Sequence, residues 1–195
     1  MGFAVARAAH AAGHDVTLIA GPVTLKTPRG VKRIDVVSAR DMLAAVLAEL
    51  NAECRTVLVM TAAVADWRPA RCAYRKIKKG EMLDTLKLVR NPDILKTLNR
   101  QPRGLRSRTS LPFIRIGFAA ETGVPDAEAA RKCREKGLDL VVGNDVTRPD
   151  SGFGTSTNRV TFVTPDGRAQ HLPLMSKLAV ARRIVAFAER IASNG

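Results

Sequence analysis

Short apolar runs alternate along this chain with segments in which apolar residues recur at the 3.6-residue period of a helix. The clearest runs cover residues 56–61, 114–118 and 138–142. Continuous apolar runs of this length are typical of parallel strands buried on both faces, and the periodic segments between them are typical of helices that cover a sheet. The alternation therefore predicts an α/β fold of three layers, with a mostly parallel sheet between helices.

Capping and turn residues set the expected ends of these elements. Ser38 and Asp41 form a predicted capping box, Asn91 is the predicted cap of a later helix, and Gly137 follows a predicted helix end. We predict helices over residues 2–12, 39–50, 91–98, 125–136 and 176–191, and strands over residues 15–20, 31–37, 56–61, 84–89, 114–118, 138–142, 160–164 and 169–172.

The last two strands differ from the others, because Pro165-Asp166-Gly167 between them predicts a hairpin. We expect this C-terminal β-hairpin to be an antiparallel appendage to the parallel sheet, and residues 56–61 to form a central strand. No repeat or low-complexity tract interrupts the order of elements, and 195 residues suit a single core. We therefore interpret residues 1–195 as one domain.

The composition argues against several classes of protein. No apolar run approaches the ~20 residues that span a bilayer, and the first twelve residues lack the pattern of a signal peptide. We expect no membrane span and a cytoplasmic location. The three cysteines have no Cys-x-x-Cys spacing and form no ligand pair with the three histidines, so neither a structural zinc site nor a disulfide framework is expected.

An excess of basic residues indicates which classes of partner the chain can bind. The 32 Lys and Arg exceed the 18 Asp and Glu, and the net charge of +14 favours nucleotides, phosphorylated metabolites or polyanions. Much of this charge is equally compatible with an ordinary solvated surface. With 4% aromatic residues and no recognition-helix pattern, the chain lacks a platform for stacking bases, so we expect no nucleic-acid partner. A lysine in the basic run 75–79 is better suited to reach the phosphates of a nucleotide.

Polar and small residues follow several of the predicted strands. Ligands of open parallel sheets bind beyond the carboxyl ends of the strands. The segments 62–69, which contains Asp66, 117–122 and 143–146 follow such ends, and residues 91–94 open a helix whose unpaired amides suit an anionic ligand. Each segment also has a purely structural interpretation, since an Asp after a strand often only caps a helix.

Five ordered motifs in this chain resemble those of phosphopantothenoylcysteine synthetase, and the resemblance covers nearly the whole chain. In bacteria this synthetase is usually the C-terminal half of a bifunctional protein, behind a flavin-dependent decarboxylase that performs the next step. The motifs are Ala62-Ala63-Val64-Ala65-Asp66-Trp67-Arg68-Pro69, Lys76-Ile77-Lys78-Lys79, Leu88-Val89-Arg90-Asn91-Pro92-Asp93-Ile94, Gly117-Phe118-Ala119-Ala120-Glu121-Thr122 and Asn144-Asp145-Val146.

The resemblance implies a ligase of Rossmann-like fold that joins 4'-phosphopantothenate to cysteine with CTP and Mg²⁺. The pantothenate carboxylate would attack the α-phosphate of CTP to give an acyl-cytidylate and pyrophosphate, and the amine of cysteine would then displace CMP. This chemistry needs no protein nucleophile, because positioning and electrostatic stabilisation can carry it. The resemblance also implies a homodimer, and it assigns FMN to a fused upstream decarboxylase and not to this chain.

Matching positions in the motifs imply the site residues. Lys76 is the expected catalytic residue, and Ile77, Lys78 and Lys79 would belong to a flap over the acyl-cytidylate. Lys132 and Lys136 are four residues apart on one helix face, which supports a shared electrostatic role. The residues expected to contact the nucleotide are Met60, Thr61, Ala62, Asp66, Lys76, Asn91, Pro92, Asp93, Ile94, Phe118, Lys132 and Lys136.

One family motif has no counterpart in this sequence. In the family, a strand, a Gly-rich turn and an Asn that acts on the acyl-cytidylate precede a Ser-Gly-Lys-Met-Gly segment, and Met1-Gly2 matches the end of that segment. We therefore expect the first strand and the phosphate loop to be missing from this chain. The alternatives to an active ligase are a catalytically incomplete nucleotide-binding fragment and, on charge alone, a basic nucleic-acid-associated protein.

Overall fold

The computed structural model describes residues 1–50, 54–76, 85–100, 113–121, 126–145 and 154–194. Its helices over these residues are α1 (Gly2–Ala11), α2 (Ala39–Glu49), α3 (Ile94–Arg100), α4 (Asp126–Lys136) and α5 (Lys177–Asn194). Its strands are β1 (Thr17–Ala20), β2 (Lys32–Asp35), β3 (Thr56–Met60), β4 (Trp67–Pro69), β5 (Leu88–Arg90), β6 (Phe113–Glu121), β7 (Leu140–Asp145), β8 (Thr157–Asn158), β9 (Val160–Val163), β10 (Ala169–His171) and β11 (Met175–Ser176).

A five-stranded sheet in the order β10-β9-β7-β6-β3 forms the centre of the fold. The strands β3, β6 and β7 are parallel, while β9 and β10 are antiparallel to their neighbours. Successive residues of β7 point to opposite faces, so Leu140 and Val142 pack with α1 and α5, whereas Val141 packs with α4. These layers confirm the predicted three-layer α/β fold.

The hairpin of β9 and β10 is part of this sheet and not a separate appendage. The strand β9 pairs with β7 from Val141↔Val163 to Asn144↔Val160, so the antiparallel strands extend the parallel ones. Main-chain groups along the edge of β7 are thereby satisfied, which explains why the hairpin docks. The predicted antiparallel hairpin is therefore confirmed, and it extends the sheet beyond β7.

The apolar strand β3 lies at the edge of the five-stranded sheet, and not at its centre as its sequence predicted. It pairs with β6 on one side, while β1 and β2 form a separate parallel pair. Both sets of strands contribute to one cluster, in which Leu58 of β3 and Ile19 of β1 pack against α2 and α3. Val57 remains 43% exposed. An apolar sequence alone does not reveal which neighbours a strand will have.

Helix ends follow the predicted local chemistry at α2 and α4. The Oγ atom of Ser38 accepts a hydrogen bond from the amide of Asp41 at 3.2 Å, and the amide of Ser38 donates to the Asp41 carboxylate at 2.9 Å. This reciprocal pair confirms the capping box. Gly137 follows α4 with a φ of +60°, the left-handed conformation that favours glycine.

The longest helix is α5, with 18 residues. Its buried face includes Val180 and Ile184, while Arg182 and Arg183 are exposed. Within the described ranges of the chain, no helix is both long enough and apolar enough to cross a membrane.

Replacing Gly137 by Ala should lower the free energy of unfolding by about 2 kcal/mol, because the new Cβ requires an unfavourable backbone conformation and also overlaps the side chain of Asn99. Gly13→Ala is a matched control: Gly13 follows α1, has a φ of +90°, and has open space where the Cβ would lie. This control should cost about 1 kcal/mol, the backbone component alone. Urea unfolding measures both changes, and equal losses would contradict the packing of Asn99 against Gly137.

Candidate functional site

The carboxyl end of β3 lies beside the middle of β6, which continues four residues further to Glu121. Met60, the last residue of β3, is in register with Gly117 of β6. The first turn of α1 lies at the same place, because a Cβ built on Gly2 would come within 2.7 Å of the Oγ1 atom of Thr61. The end of β3 and the N-terminus of α1 therefore meet at one place, where backbone amides can face an anionic ligand.

The loop after β3 is hydrogen-bonded to the turn before α3. The amide of Asn91 donates to the carbonyl of Asp66 at 2.7 Å, and the Asn91 Nδ2 atom donates to the carbonyl of Ala65 at 2.8 Å. The Nη1 atom of Arg68 donates to the Asn91 Oδ1 atom at 3.1 Å. Two segments that were predicted separately to belong to the site, around Asp66 and around Asn91, are thus in direct contact.

Asp93 caps α3, and the prediction that Asn91 does so was wrong. The Asp93 Oδ1 atom accepts a hydrogen bond from the amide of Lys96 at 3.0 Å. Both residues are good caps in isolation, but the side chain of Asn91 is already committed to Ala65 and Arg68. The cap therefore moves two residues along the chain.

The second carboxylate oxygen of Asp93 lies 3.1 Å from the Nζ atom of Lys136, at the end of α4. The side chain of a helical residue leans toward the N-terminus of its own helix. Lys136, in the last turn of α4, can therefore reach Asp93 at the start of α3. Partial burial alone would raise the pKa of Asp93, but the hydrogen bond from Lys96 and the Lys136 ammonium outweigh it and hold the pKa below its ordinary value. Asp93 is therefore ionised at neutral pH, and the contact is an ion pair.

The other predicted lysines have different surroundings. The Lys132 ammonium is 4.0 Å from the Glu128 carboxylate, one helical turn away. Lys132 and Lys136 thus contact different carboxylates, although they lie on the same helix face. Lys76 is exposed. The predicted flap residues Ile77, Lys78 and Lys79 lie outside the described residues.

The remaining predicted residues differ in what they can offer a ligand. Ile94 is only 4% exposed and belongs to the core between α2 and α3, so its side chain serves packing. Phe118 is half-buried against the core under α1 and α5. Pro92, Met60 and Thr61 are also half-buried, and Ala62 and Asp66 are exposed. Among these residues, Ala62 and Asp66 are therefore the most accessible to a ligand.

Sequence reasoning gave no role to Arg68, although it lies within one of the motifs. Its guanidinium is half-buried and binds both the Asn91 side chain and the carbonyl of Arg90. The sequence offered only an arginine directly before Pro69 as a signal. In the structure this arginine is half-buried, and a half-buried arginine needs hydrogen-bond acceptors close by. The strand β4, which carries Arg68, was itself predicted as part of a loop.

Metal-ligating side chains are not clustered in the part of the chain that the structure describes: it contains no group of three or more His, Cys, Asp or Glu residues that could hold an ion. The buried thiol of Cys133 donates to the carbonyl of Leu138 at 3.1 Å. Burial, and then the charge of Asp139, raise the pKa of Cys133 to about 11, so this thiol stays protonated at neutral pH. Cys133 therefore serves packing.

Comparison with known proteins gives consistent matches. The family model described as "DNA/pantothenate metabolism flavoprotein C-terminal domain" matches residues 1–191. The chain is 42% identical over 187 residues to the Coenzyme A biosynthesis bifunctional protein CoaBC of Vibrio vulnificus strain YJ016, covering 95% of this chain and 44% of that protein. It is also 42% identical over 186 residues to CoaBC of Bacillus subtilis strain 168, covering 95% of this chain and 43% of that protein. The chain thus spans less than half the length of these relatives.

Solved structures match the fold. The crystal structure of the C-terminal domain of a CoaBC protein has a TM-score of 0.76 at 34% identity, and the match covers 100% of this chain and 83% of the other. The DNA/pantothenate metabolism flavoprotein from Streptococcus pneumoniae has a TM-score of 0.73, covering 97% of this chain and 86% of the other. At 18% identity, that second match supports the fold alone.

Asp93→Asn should lower the free energy of unfolding at neutral pH by less than about 1 kcal/mol, since the amide still caps α3 but the ion pair with Lys136 is lost. This loss of stability is small because the side chains of Lys136 and Asp93 are 38% and 40% exposed and solvent screens the pair. Because the pKa of Asp93 is lowered, its contribution is present above about pH 4 and is lost as the pH falls through the folded-state pKa.

Urea unfolding at pH 7 and at pH 3 tests this dependence. The difference between the natural chain and Asp93→Asn should be smaller at pH 3 than at pH 7, and Lys136→Gln should behave in the same way. Lys26→Gln, which removes an exposed lysine from another loop, is the control and should change little. A difference that persists unchanged at pH 3 would show that the Asp93 charge does not stabilise the fold.

Proposed function

The chain belongs to the family of the DNA/pantothenate metabolism flavoprotein C-terminal domain, and on that premise we propose that it is a phosphopantothenoylcysteine synthetase of coenzyme A biosynthesis. Its substrates are 4'-phosphopantothenate, cysteine and CTP. The observation that carries the proposal is the convergence of Asp66, Asn91 and the Asp93–Lys136 pair near the carboxyl edge of the sheet, in a chain 42% identical to CoaBC.

The proposed reaction has two steps. The carboxylate of 4'-phosphopantothenate attacks the α-phosphate of CTP, forms a P–O bond, and releases pyrophosphate to leave an acyl-cytidylate. The amine of cysteine then attacks the acyl carbon, forms the amide bond and releases CMP with loss of a proton. Mg²⁺ accompanies the triphosphate, since this ion is commonly bound by substrate phosphates and one or two carboxylates.

The described residues suit this chemistry because it relies on placement of charges. The acid that reacts is part of the substrate, so no side chain has to act as a nucleophile. Exposed Asp66 and the backbone at 60–62 and 91–94 provide polar groups of both signs for the base and ribose. We assign to Lys76, which lies on the exposed loop beyond β4, the stabilisation of negative charge that develops on the α-phosphate.

The remaining contacts follow the same assignment. Phe118 is half-buried in β6 and directly follows Gly117, which is in register with Met60, and we assign it to the nucleotide site. Lys132 and Lys136 supply positive charge for the phosphates. We propose that Ile77, Lys78 and Lys79, which lie outside the described residues, serve as the flap over the acyl-cytidylate.

We also propose that polypeptide upstream of these residues completes the domain. In the described part of the structure the apolar strand β3 has a partner on one side only, and β1 is paired only with β2. An exposed apolar edge is a liability that folded proteins normally cover. An additional strand between β1 and β3 would cover it, and the turn after that strand would lead into α1 and hold phosphates there.

The wider context of the enzyme is proposed from its relatives. Because the chain spans 44% of a bifunctional CoaBC protein, a flavin-dependent decarboxylase fused upstream is the natural partner of this domain, and FMN belongs to that partner. We propose a homodimer in the cytoplasm, where CTP, cysteine and phosphopantothenate are available.

The proposal is tested by assaying two forms of the protein with phosphopantothenate, cysteine and Mg²⁺, using CTP or ATP. The first is the 195-residue chain, and the second is this chain extended by the upstream segment of a CoaBC relative. We expect product, CMP and pyrophosphate from the extended form with CTP, much less with ATP, and no measurable product from the chain alone.

Equal rates for the two forms would show that the phosphate site is built within residues 1–195. An extended form that is folded but inactive with every nucleotide would contradict the ligase assignment. Tight, salt-resistant binding of short duplex DNA would instead favour the nucleic-acid alternative, since weak non-specific binding falls steeply with salt.

Lys76→Gln in the extended form should slow pyrophosphate release in a single turnover by about 10²- to 10³-fold, because one preorganised charge on the phosphate transition state is lost. The fold should be unaffected, since Lys76 is exposed. Arg75→Gln removes the neighbouring exposed charge and serves as the control. Comparable losses in both variants would indicate a general effect of loop charge and would remove the specific role of Lys76.

A further inference from the structure

Arg68 is placed to fix the orientation of another side chain. It is half-buried in β4, and its Nη1 atom donates to the carbonyl of Arg90 at 2.6 Å and to the Asn91 Oδ1 atom at 3.1 Å. An asparagine side chain has one accepting oxygen and one donating nitrogen, so binding the oxygen also fixes where the nitrogen points. The Nδ2 atom of Asn91 accordingly points to the carbonyl of Ala65, at 2.8 Å.

The consequence is a bridge between two loops. The amide of Asn91 also donates to the carbonyl of Asp66 at 2.7 Å, so side chain and backbone of one residue hold both Ala65 and Asp66. Neither carbonyl lies in a strand of the sheet. These bonds extend the pairing of β4 with β5, because Asp66 precedes Trp67 and Asn91 follows Arg90, and Trp67 and Arg90 are in register.

Arg68 also connects this bridge to the hairpin of β4 and β5. Arg68 is in register with Val89, the middle residue of β5. A two-stranded hairpin is only marginally stable by itself in water. The bonds from Arg68 attach its base to Asn91, and the loop that carries Lys76 continues from β4.

We propose that Arg68 is a positioning residue for the nucleotide-dependent step. Through Asn91, its guanidinium holds the Ala65–Asp66 segment, and through β4 it is joined to the loop that carries Lys76. The effect on nucleotide use rests on the proposed function, whereas the bridge itself does not. Arg68 has no assigned contact with substrate in this scheme and acts only through Asn91 and the hairpin.

Removing the guanidinium leaves the Asn91 Oδ1 atom without its charged donor and frees the amide group to rotate. The carbonyl of Ala65 then loses its side-chain donor in the rotated state. Losing one charge-assisted hydrogen bond of this kind commonly changes an equilibrium by about tenfold or more. The KM for CTP should therefore rise by about tenfold, while the KM for cysteine, which reacts in the second step, should change little.

The experiment compares Arg68→Gln with Arg68→Lys, and uses Arg71→Gln, an exposed arginine of the same hairpin, as the matched control. Hydrogen exchange of the Asn91 backbone amide is measured in the 195-residue chain, and KM and kcat are measured in the extended form. We expect Arg68→Gln to speed exchange at Asn91 and to raise the KM for CTP more than it lowers kcat. Arg68→Lys keeps a charged donor and should recover part of both effects, and Arg71→Gln should show neither.

Normal exchange at Asn91 together with a normal KM for CTP in Arg68→Gln would overturn the proposal. Faster exchange with unchanged KM would overturn the role in nucleotide use. An inactive extended form would count against the proposed function. Hydrogen exchange of the Asn91 amide is measured without nucleotide, so it would still decide whether Arg68 holds the bridge. If Arg68→Gln fails to fold, Asn91→Asp provides the second test: it keeps the oxygen for Arg68 but removes the Nδ2 donor to Ala65, and a normal KM for CTP would again overturn the proposal.

Discussion

The parallel pairing of β3 with β6 determines where the candidate site residues lie. The register runs from Thr56↔Phe113 to Met60↔Gly117, so both strands run toward the same end of the sheet. In an antiparallel pair, the segments after the two strands would leave at opposite ends of the sheet. Parallel pairing requires a long connection between the strands, and that connection holds β4, β5 and α3. Much of the candidate site thus lies in the connection that parallel pairing of β3 with β6 requires.

Hydrogen bonds between loops then convert a shared edge into a defined arrangement. Backbone in such segments has no sheet or helix to satisfy its polar groups, so these groups must find partners locally. Asn91 supplies them for Ala65 and Asp66, Arg68 holds Asn91, and Asp93 satisfies the first turn of α3. Asn91 and Asp93, which look like parts of a single helix-capping motif, therefore have separate tasks.

The sequence predicted the elements whose signals are local. The capping box of Ser38 and the glycine after α4 depend on residues within a few positions, and both were correctly identified. The edge position of β3 was not predictable, because an apolar run of this kind shows that a strand is covered but not which strands flank it. The strand β4 was missed because it has three residues and includes Pro69, which cannot donate to a ladder. In the site, strand-end residues such as Asp66 were identified by position, but the contact of Asp93 with Lys136 joins separate helices and has no local signal.

The net charge of +14 overstates the positive potential at this edge of the sheet. Lys136 is paired with an ionised Asp93, and Lys132 lies within 4.0 Å of Glu128, so part of the basic charge near the site is neutralised by carboxylates of the chain itself. A triphosphate that approached would meet ammonium groups already held in place, each with further N–H donors to share. Because the ion pairs already restrict the ammonium groups, less conformational entropy would be lost when a ligand binds. The same ion pairs weaken the net electrostatic attraction for that ligand. If these lysines bind phosphates as proposed, donors held in place would favour a ligand whose phosphates fit them, whereas a strong uncompensated field would attract any polyanion.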